Sequence, residues 1–450
     1  MAKQKTQFVC AQCGYESPKW LGKCPSCSSW NSFIEETRVT GAQKLQPTSK
    51  GIEPVLLQEV TAIKVQRTPT GIGEFDRVLG GGFVPGSLVL LGGEPGIGKS
   101  TLAIESAHNL ANKDVLYISG EESMHQVKAR SERLKNNMAN IYLWPETNLE
   151  SIANHLKTTS PALIIIDSIQ TLFYPLLDTA PGSLVQVREC TFRLGEMARE
   201  KNIPILLIGH INKEGSIAGP KVLEHMVDVV LQFEGDAQKN YRILRSYKNR
   251  YGSTAEMGLF EMTSGGLKEI TNPSEVLLNQ FHDSFSGIAV GCSIDGNRPM
   301  LTEVQALVSS AVYGTPQRSV TGYDVKRLNM LLAVLERRAG FKLSFKDVFL
   351  NLAGGIKVSD PALDLATVAA ILSSNFDLSI SHQRCFAAEV GLSGEIRPVN
   401  RTEVRVNEAV RHGFKEIFVS GFHKDTLKKP KGIEVVELKR IEDLVKKVFG

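Results

Sequence analysis

Residues Gly93-Glu94-Pro95-Gly96-Ile97-Gly98-Lys99-Ser100 spell G-x4-G-K-[ST], with Thr101 directly after. Glycines at these places let successive backbone N–H groups close around phosphate oxygens, and a helix starting here adds the positive end of its dipole. Lys99 is then expected to bridge the β- and γ-phosphates of ATP, and Ser100 to hold Mg2+ through its hydroxyl. Hydrolysis needs more than a cradle. Leu163-Ile-Ile-Ile-Asp167 ends an apolar run in a carboxylate, the expected partner of magnesium on the side opposite the loop. Val115-Leu-Tyr-Ile-Ser-Gly leads into Glu121 and Glu122, one of which can polarise the attacking water as general base; Glu121 is favoured. The plainer alternatives are that Asp167 caps a turn and that both glutamates merely open a helix near Ser123. Ile205-Leu-Leu-Ile-Gly leads into His210 and Asn212, either of which can sense the γ-phosphate and relay it to the glycine-rich segment Lys213–Gly219. A lone histidine at a strand end is as often structural.

A second chemistry sits at the N-terminus. Cys10, Cys13, Cys24 and Cys27 form C-x2-C-x10-C-x2-C, two knuckles whose four thiolates suit a closed tetrahedral Zn2+ site. Two disulfides or a redox dithiol would use the same residues, but no secretion signal precedes them. The metal supplies the folding energy that so short a module lacks. Trp20, Trp30, Lys19 and Lys23 either contact nucleic acid or protein, or the tryptophans pack around the metal. Cys190, Cys292 and Cys385 are scattered and read as reduced packing residues.

The elements that must position these groups follow from the apolar pattern. With 450 residues, 42% apolar and 22% charged, the chain suits two or three globular domains. No apolar stretch approaches the ~20 residues of a membrane helix, and Met1-Ala-Lys-Gln-Lys leads into no apolar run, so a cytoplasmic protein is expected. A net charge of +4 excludes a strongly basic DNA-coating protein but allows local basic patches. Residues 1–35 form the zinc module, and residues 36–66 have a linker composition. Residues 67–272 alternate short apolar runs (Ser87–Leu91, Val115–Ile118, Leu163–Ile166, Ile205–Ile208, Val227–Phe233) with helical stretches (Thr101–Ala111, Val185–Glu200). That alternation means a mostly parallel α/β sheet covered on both faces. Residues 273–450 form a second α/β region with strands at Ile288–Cys292 and Thr302–Leu307 and helices at Val325–Ala339 and Leu363–Ser374.

Residues 236–255 carry Lys239, Arg242, Arg245, Lys248 and Arg250 against Asp236 alone, a local charge equal to that of the whole chain. Beside Tyr241, Tyr247 and Tyr251 they suit a surface that tracks phosphates and stacks bases. Lys248 and Arg250 lie two apart, so on a strand they share a face and a target. That target is DNA in a nucleotide-coupled contact, or the neighbouring subunit's γ-phosphate, as for an arginine finger; a solvated basic face is the bland reading.

The chain resembles the RadA/Sms family of bacterial DNA-repair proteins. The resemblance rests, in order, on the four-cysteine knuckle, the phosphate loop, the pentapeptide Lys248-Asn-Arg-Tyr-Gly252 and a C-terminal region similar to the proteolytic domain of Lon. Tyr251 stands where the family usually has Phe. The resemblance implies an α/β fold class: a zinc knuckle, a RecA-like P-loop ATPase core, and a Lon-protease-like α+β domain. It further implies hexameric rings similar to DnaB-type helicases, and ATP-driven movement on single-stranded and branched DNA. A 5′–3′ helicase or branch-migration role beside a RecA-type recombinase would follow. In the Lon-like region, Ala362 occupies the nucleophile's place in Lys357-Val-Ser-Asp-Pro-Ala-Leu-Asp364, and Glu403 aligns with the lysine. Ser359 and Arg401 are the nearest substitutes, so proteolysis is not expected. Residues 397–450 hold 13 basic against 8 acidic groups, with Lys424, Lys428, Lys429 and Lys431 close together, which suits a ring platform that binds duplex DNA or a plain solvated surface. The expected activity is a DNA-stimulated ATPase motor. The alternatives are a nucleotide-switched ring that loads partners without translocating and, less favoured, a Lon-type peptidase.

Overall fold

The computed structural model describes residues 4–10, 15–26, 28, 30–39, 56, 58, 66–110, 113–134, 140–210, 222–235, 241–278, 285–311, 315–355, 357–422 and 430–450. The chain divides into two compact units, Met1–Ile270 and Thr271–Gly450.

The first unit opens with a small antiparallel sheet of β1 (Gln4–Cys10), β2 (Glu16–Ser17) and β3 (Phe33–Val39), in the order β2-β1-β3. Its core is Cys10, Cys24 and Phe33 with Phe8 and Leu21 packed on them, far too little apolar surface to hold a fold unaided.

The rest of that unit is the larger sheet. Its elements are α1 (Gly73–Leu79), β4 (Leu88–Gly92), α2 (Lys99–Asn109), β5 (Val115–Ser119), α3 (Met124–Arg133), β6 (Ile141–Trp144) and α4 (Leu149–His155). They continue with β7 (Leu163–Asp167), α5 (Leu184–Lys201), β8 (Ile205–Ile208), α6 (Val222–Met226), β9 (Val229–Glu234), β10 (Tyr241–Asn249), β11 (Met257–Thr263) and β12 (Gly266–Glu269). Among the described residues nine strands pair in the order β12-β11-β10-β9-β4-β8-β7-β5-β6. The strands from β9 to β6 run parallel, and β9 to β12 form an antiparallel extension. β4, β5 and β7 are buried at every position, as strands covered on both faces must be. Period-two alternation sorts them: Val89 and Leu91 enter one core with Leu102 and Phe233, while Leu88 and Leu90 enter another with Leu194 and Val187.

This order matters for chemistry because β8 lies between β4 and β7, with β5 beyond. The carboxyl ends of β4, β8, β7 and β5 therefore form one contiguous edge, the crevice in which open parallel sheets bind ligands.

The second unit comprises α7 (Pro273–Leu277), β13 (Ile288–Asp295), β14 (Arg298–Ser310), β15 (Arg318–Thr321), α8 (Val325–Ala339), β16 (Lys346–Leu352) and α9 (Asp364–Phe376). β17 (Arg384–Ala387), β18 (Glu389–Val390), β19 (Ile396–Arg397), α10 (Thr402–Arg411), β20 (Glu416–Ser420), β21 (Glu434–Leu438) and α11 (Ile441–Phe449) complete it. Its mixed sheet runs β15-β16-β14-β13-β17-β20-β21, with β18 and β19 paired apart. The ten residues from Asp364 to Ser373 are all buried, which makes α9 the central helix of this unit.

The strands and helices expected from the sequence occur within a few residues of their places, α8 to the residue. One inference from spacing does not hold. β10 ends at Asn249 and carries a bulge between Ser246 and Lys248, so strand alternation does not place Lys248 and Arg250 on one face.

Candidate nucleotide site

Gly93, Gly96 and Gly98 all have positive φ, and Gly98 adopts φ 117° as it caps α2. A side chain at Gly98 would be strained by this backbone conformation, which is why glycine stands there. The loop curls over its own lysine. Lys99 is 4% exposed, and its ammonium donates to the carbonyls of Gly93 (2.8 Å) and Glu94 (2.9 Å). Burial lowers its pKa to about 8, with Asp167 and then Glu121 pulling it partly back. Ser100 and Thr101 occupy the first turn of α2 directly behind it.

His210, at the end of β8, stands with Nδ1 3.4 Å from the Lys99 ammonium and Nε2 3.0 Å from Glu121 Oε1. An ammonium has only donors, so Nδ1 accepts and Nε2–H donates to the carboxylate. Glu121 also accepts a hydrogen bond from Ser168 Oγ. Its neighbour turns elsewhere: Glu122 pairs with Arg130 at 2.5 Å, and its backbone is tied to Ser119 Oγ. Asp167 closes β7, 6% exposed, and accepts the Tyr117 hydroxyl at 2.7 Å. That bond, the carboxylate and above all burial hold the Tyr117 hydroxyl far above its ordinary pKa. Gly120 lets β5 approach this turn, since a Cβ there would lie 1.9 Å from Thr171 Oγ1. Ser123 caps α3 with a reciprocal bond to Gln126, so neither Glu121 nor Glu122 is the cap of that helix.

Lys99, His210, Asp167 and Glu121 thus meet along the strand edge. Asn212 and Lys213–Gly219 lie outside the described residues. Tyr117 and Ser168 were not singled out from sequence. Tyr117 alternates with Ser119 on β5, and Ser168 directly follows Asp167; these were the available signals.

The basic patch reads differently in three dimensions. Arg242 is 3% exposed, Arg245 pairs with Glu234 at 2.8 Å, and the Tyr247 hydroxyl donates to the same carboxylate at 2.8 Å. Tyr251 packs against the core rather than offering a free ring. Part of the expected phosphate-tracking surface over 236–255 is therefore withdrawn, since Arg242 is buried and Glu234 neutralises Arg245, while Tyr247 and Arg250 stay more than half exposed. Lys239 lies outside the described residues. The pentapeptide is anchored at helix ends. Lys248 Nζ donates to the carbonyls of Glu224 (2.7 Å) and Val227 (2.8 Å), and burial followed by Arg250 lowers its pKa. Asn249 donates to Leu79 O at the end of α1, and Arg250 pairs with Asp228 at 3.2 Å while its side chain stays 57% exposed. Lys248 and Arg250 do converge, on residues 224–228, through this anchoring rather than through strand alternation.

In the N-terminal module Cys10 and Cys24 are buried in one small core; Cys10 N–H donates to Tyr15 O, and Ser28 N–H to Cys24 O. Two converging thiols in paired knuckles fit zinc; Cys13 and Cys27 lie outside the described residues. Trp20 and Trp30 are 51% and 71% exposed, so they do not wrap the metal.

In the second unit Ala362 is fully buried, while Ser359 and Arg401 line a cavity of about 430 Å3 with Asp360, Glu389 and Arg405. A guanidinium cannot accept a proton from a serine hydroxyl, so this pair is no peptidase dyad. Glu403 is exposed on the first turn of α10. Lys424, Lys428 and Lys429 lie outside the described residues, and Lys431 is exposed.

Family models match at residues 8–35 (rubredoxin metal binding domain), 61–216 (AAA domain) and 303–421 (subunit ChlI of Mg-chelatase). The chain is 48% identical over 453 residues to the DNA repair protein RadA of Streptococcus pyogenes, and 46% identical over 457 residues to that of Bacillus subtilis. Both alignments cover 100% of each chain. Among solved structures, the RadB recombinase is similar at TM-score 0.36 and 24% identity, covering 45% of this chain and 98% of that one. A KaiC-like protein of Pyrococcus horikoshii is similar at TM-score 0.39 and 22% identity, covering 46% and 99%. The fold class stands as expected: a zinc ribbon, a RecA-like ATPase core and a Lon-like C-terminal region. No helix among the described residues is long and apolar enough to cross a membrane.

Proposed function

The chain belongs to the RadA family of DNA-repair proteins, and from that membership we propose that it is a DNA-stimulated ATPase motor acting on single-stranded and branched DNA. The convergence of Lys99, Asp167, Glu121 and His210 on one strand edge carries this reading. ATP phosphates take the place of the Gly93 and Glu94 carbonyls at the Lys99 ammonium. Ser100 and Asp167 would hold Mg2+, whose charge offsets that of the phosphates. Glu121, oriented by Ser168 and His210, accepts the proton of the attacking water. Glu122 serves instead to fix α3 through Arg130. His210 spans the lysine and the base, so it is placed to register the γ-phosphate. Arg250 reaches either DNA or the neighbouring subunit's nucleotide, and Lys248 holds the segment that carries it.

The same reading assigns residues 1–35 to the zinc module, held by Cys10, Cys13, Cys24 and Cys27. Residues 67–272 form the motor within a hexameric ring, and 273–450 a platform without peptidase chemistry. Branch migration beside a RecA-type recombinase in the cytoplasm completes it. ATPase rate with and without single-stranded DNA, paired with the mass of the nucleotide-bound assembly, tests the proposal. Stimulation by DNA in a ring-sized assembly is expected, with Lys99→Ala abolishing turnover and translocation but not assembly. Strand displacement by Lys99→Ala in ATP would overturn it.

A further inference from the structure

The N-terminal module contains two large aromatic side chains that its own fold does not use. Its core is built from Cys10, Cys24 and Phe33, with Phe8 and Leu21 beside them. Trp20 and Trp30 stay outside, 51% and 71% exposed. A tryptophan buries 150–250 Å2 when it is packed and is seldom left so open, least of all in a module with almost no core.

The two rings belong to one rung of structure. The Trp20 ring lies on Gly22, where an added Cβ would meet its edge atoms at 3.8 Å. The Gly22 carbonyl accepts the N–H of Asn31, next to Trp30, at 2.8 Å. Lys23 is the bridge partner of Trp30, and its ammonium stands 5.6 Å from the ring centroid. Lys19, adjacent to Trp20, is exposed as well. Lys23 thus stands over the Trp30 ring and Lys19 precedes Trp20 in the chain, in a stretch that holds a single acidic residue, Glu16, between Cys10 and Ser32. Exposed rings with cations near them complement a polymer that alternates flat bases with phosphates. The face of a duplex presents its phosphates but keeps its bases stacked, so this pattern fits unpaired strands.

We propose that Trp20 and Trp30, with Lys19 and Lys23, form a single-stranded DNA platform on the zinc module, separate from any contact made by the motor core. The proposal rests on the reading that the protein works on single-stranded DNA, and adds a second place where the strand is held. Each ring stacks one base, and each lysine pairs with a neighbouring phosphate.

The test uses the full-length protein carrying Trp144→Phe, which leaves Trp20 and Trp30 as the only tryptophans. Titration with an oligo(dT) strand should quench their fluorescence. Removing one ring as Trp20→Ala or Trp30→Ala should weaken oligo(dT) binding about 5- to 100-fold, while Trp→Phe at either place keeps it within a few-fold. Lys19→Gln with Lys23→Gln should reduce the slope of log affinity against log salt by about 1.4. Metal content equal to the parent shows that a variant's ribbon is intact, and the Trp→Phe and lysine variants carry the test if the alanines lose it. Unchanged oligo(dT) affinity and salt slope in these variants, with DNA-stimulated ATPase present, would overturn the platform and leave the motor standing. Equal weakening toward blunt duplex would overturn base stacking. Loss of recombinase binding without loss of oligo(dT) binding would make the surface a protein interface and overturn the proposal. Absence of both DNA binding and DNA stimulation in the parent protein would overturn the motor reading itself.

Discussion

Two regions of this molecule gather buried carboxylates and cations, and only one of them has the form of a reaction centre. At the strand edge of the first unit, Lys99 is desolvated against the two backbone carbonyls of Gly93 and Glu94, weak partners that a phosphate can replace. Glu121 is oriented by Ser168 and His210 yet keeps 40% of its side chain exposed. In the second unit two carboxylates, Asp360 on the cavity wall and Asp364 behind it in sequence, are saturated. Asp360 accepts from Ala362 N–H, Ile294 N–H and Arg405, all within 3.0 Å. Asp364, fully buried beside α8, accepts from Tyr323, from two nitrogens of Arg327 and from Val390 N–H. Charge and burial are common to both regions. What separates them is whether the partner can leave: a carboxylate satisfied on every side by its own fold holds structure together and has nothing left for a substrate.

This contrast can be broken at four points. The largest effect belongs to Glu121→Gln, expected to lower ATP turnover about 10²- to 10⁴-fold while nucleotide affinity stays within a few-fold, measured as kcat against Kd. Retained turnover would remove Glu121 from the reaction. Next is Asp364→Asn, expected to destabilise the second unit by about 3–5 kcal/mol in denaturant melts, because Arg327 is left with a buried, neutral partner. The first unit's ATPase should be unaffected; a turnover defect without a stability loss would mean this cluster is functional after all.

The third point is the pH profile of nucleotide binding. Lys99 has a folded pKa of about 8, below its unfolded value, so its buried charge costs stability below pH 8, and that cost is relieved as pH rises toward 10.5. Phosphate binding favours the charged form, so ATP affinity should fall above pH 8 by up to about tenfold per unit, with proton uptake visible by calorimetry in buffers of different ionisation enthalpy. A flat profile from pH 7 to 10 would show that Lys99 is not the phosphate partner. The smallest effect is Glu122→Gln. Breaking its pair with Arg130 should cost about 1 kcal/mol in melting experiments and less than tenfold in turnover, in contrast to its neighbour.

The phosphate loop, the parallel strands and the strand-end carboxylates were legible in the sequence because each depends on near neighbours. A glycine at position 98 or an apolar run at 163–166 states its geometry within a few residues. The choice between Glu121 and Glu122 was only favoured from sequence. Their separation depends on Arg130, Ser168 and His210, which arrive from three different elements. The basic stretch over 236–255 is only partly legible for a related reason. Counting charges along the chain takes no account of Glu234 across the β9–β10 pair, nor of the burial of Arg242.

By itself the sequence determined the phosphate-loop motif, the four-cysteine spacing and the parallel α/β class, because hydrogen-bond geometry and apolar periodicity act locally. It also argues against peptidase chemistry at position 362, since Ala362 has no hydroxyl wherever the fold puts it. Tertiary structure alone decided which charges remain available. It set Lys248 against the end of α6, spent Arg245 on Glu234, tied Glu122 to Arg130, and left Trp20 and Trp30 facing outward. Availability is a matter of what surrounds a group in space, and desolvation and pairing act over a few ångströms irrespective of distance along the chain.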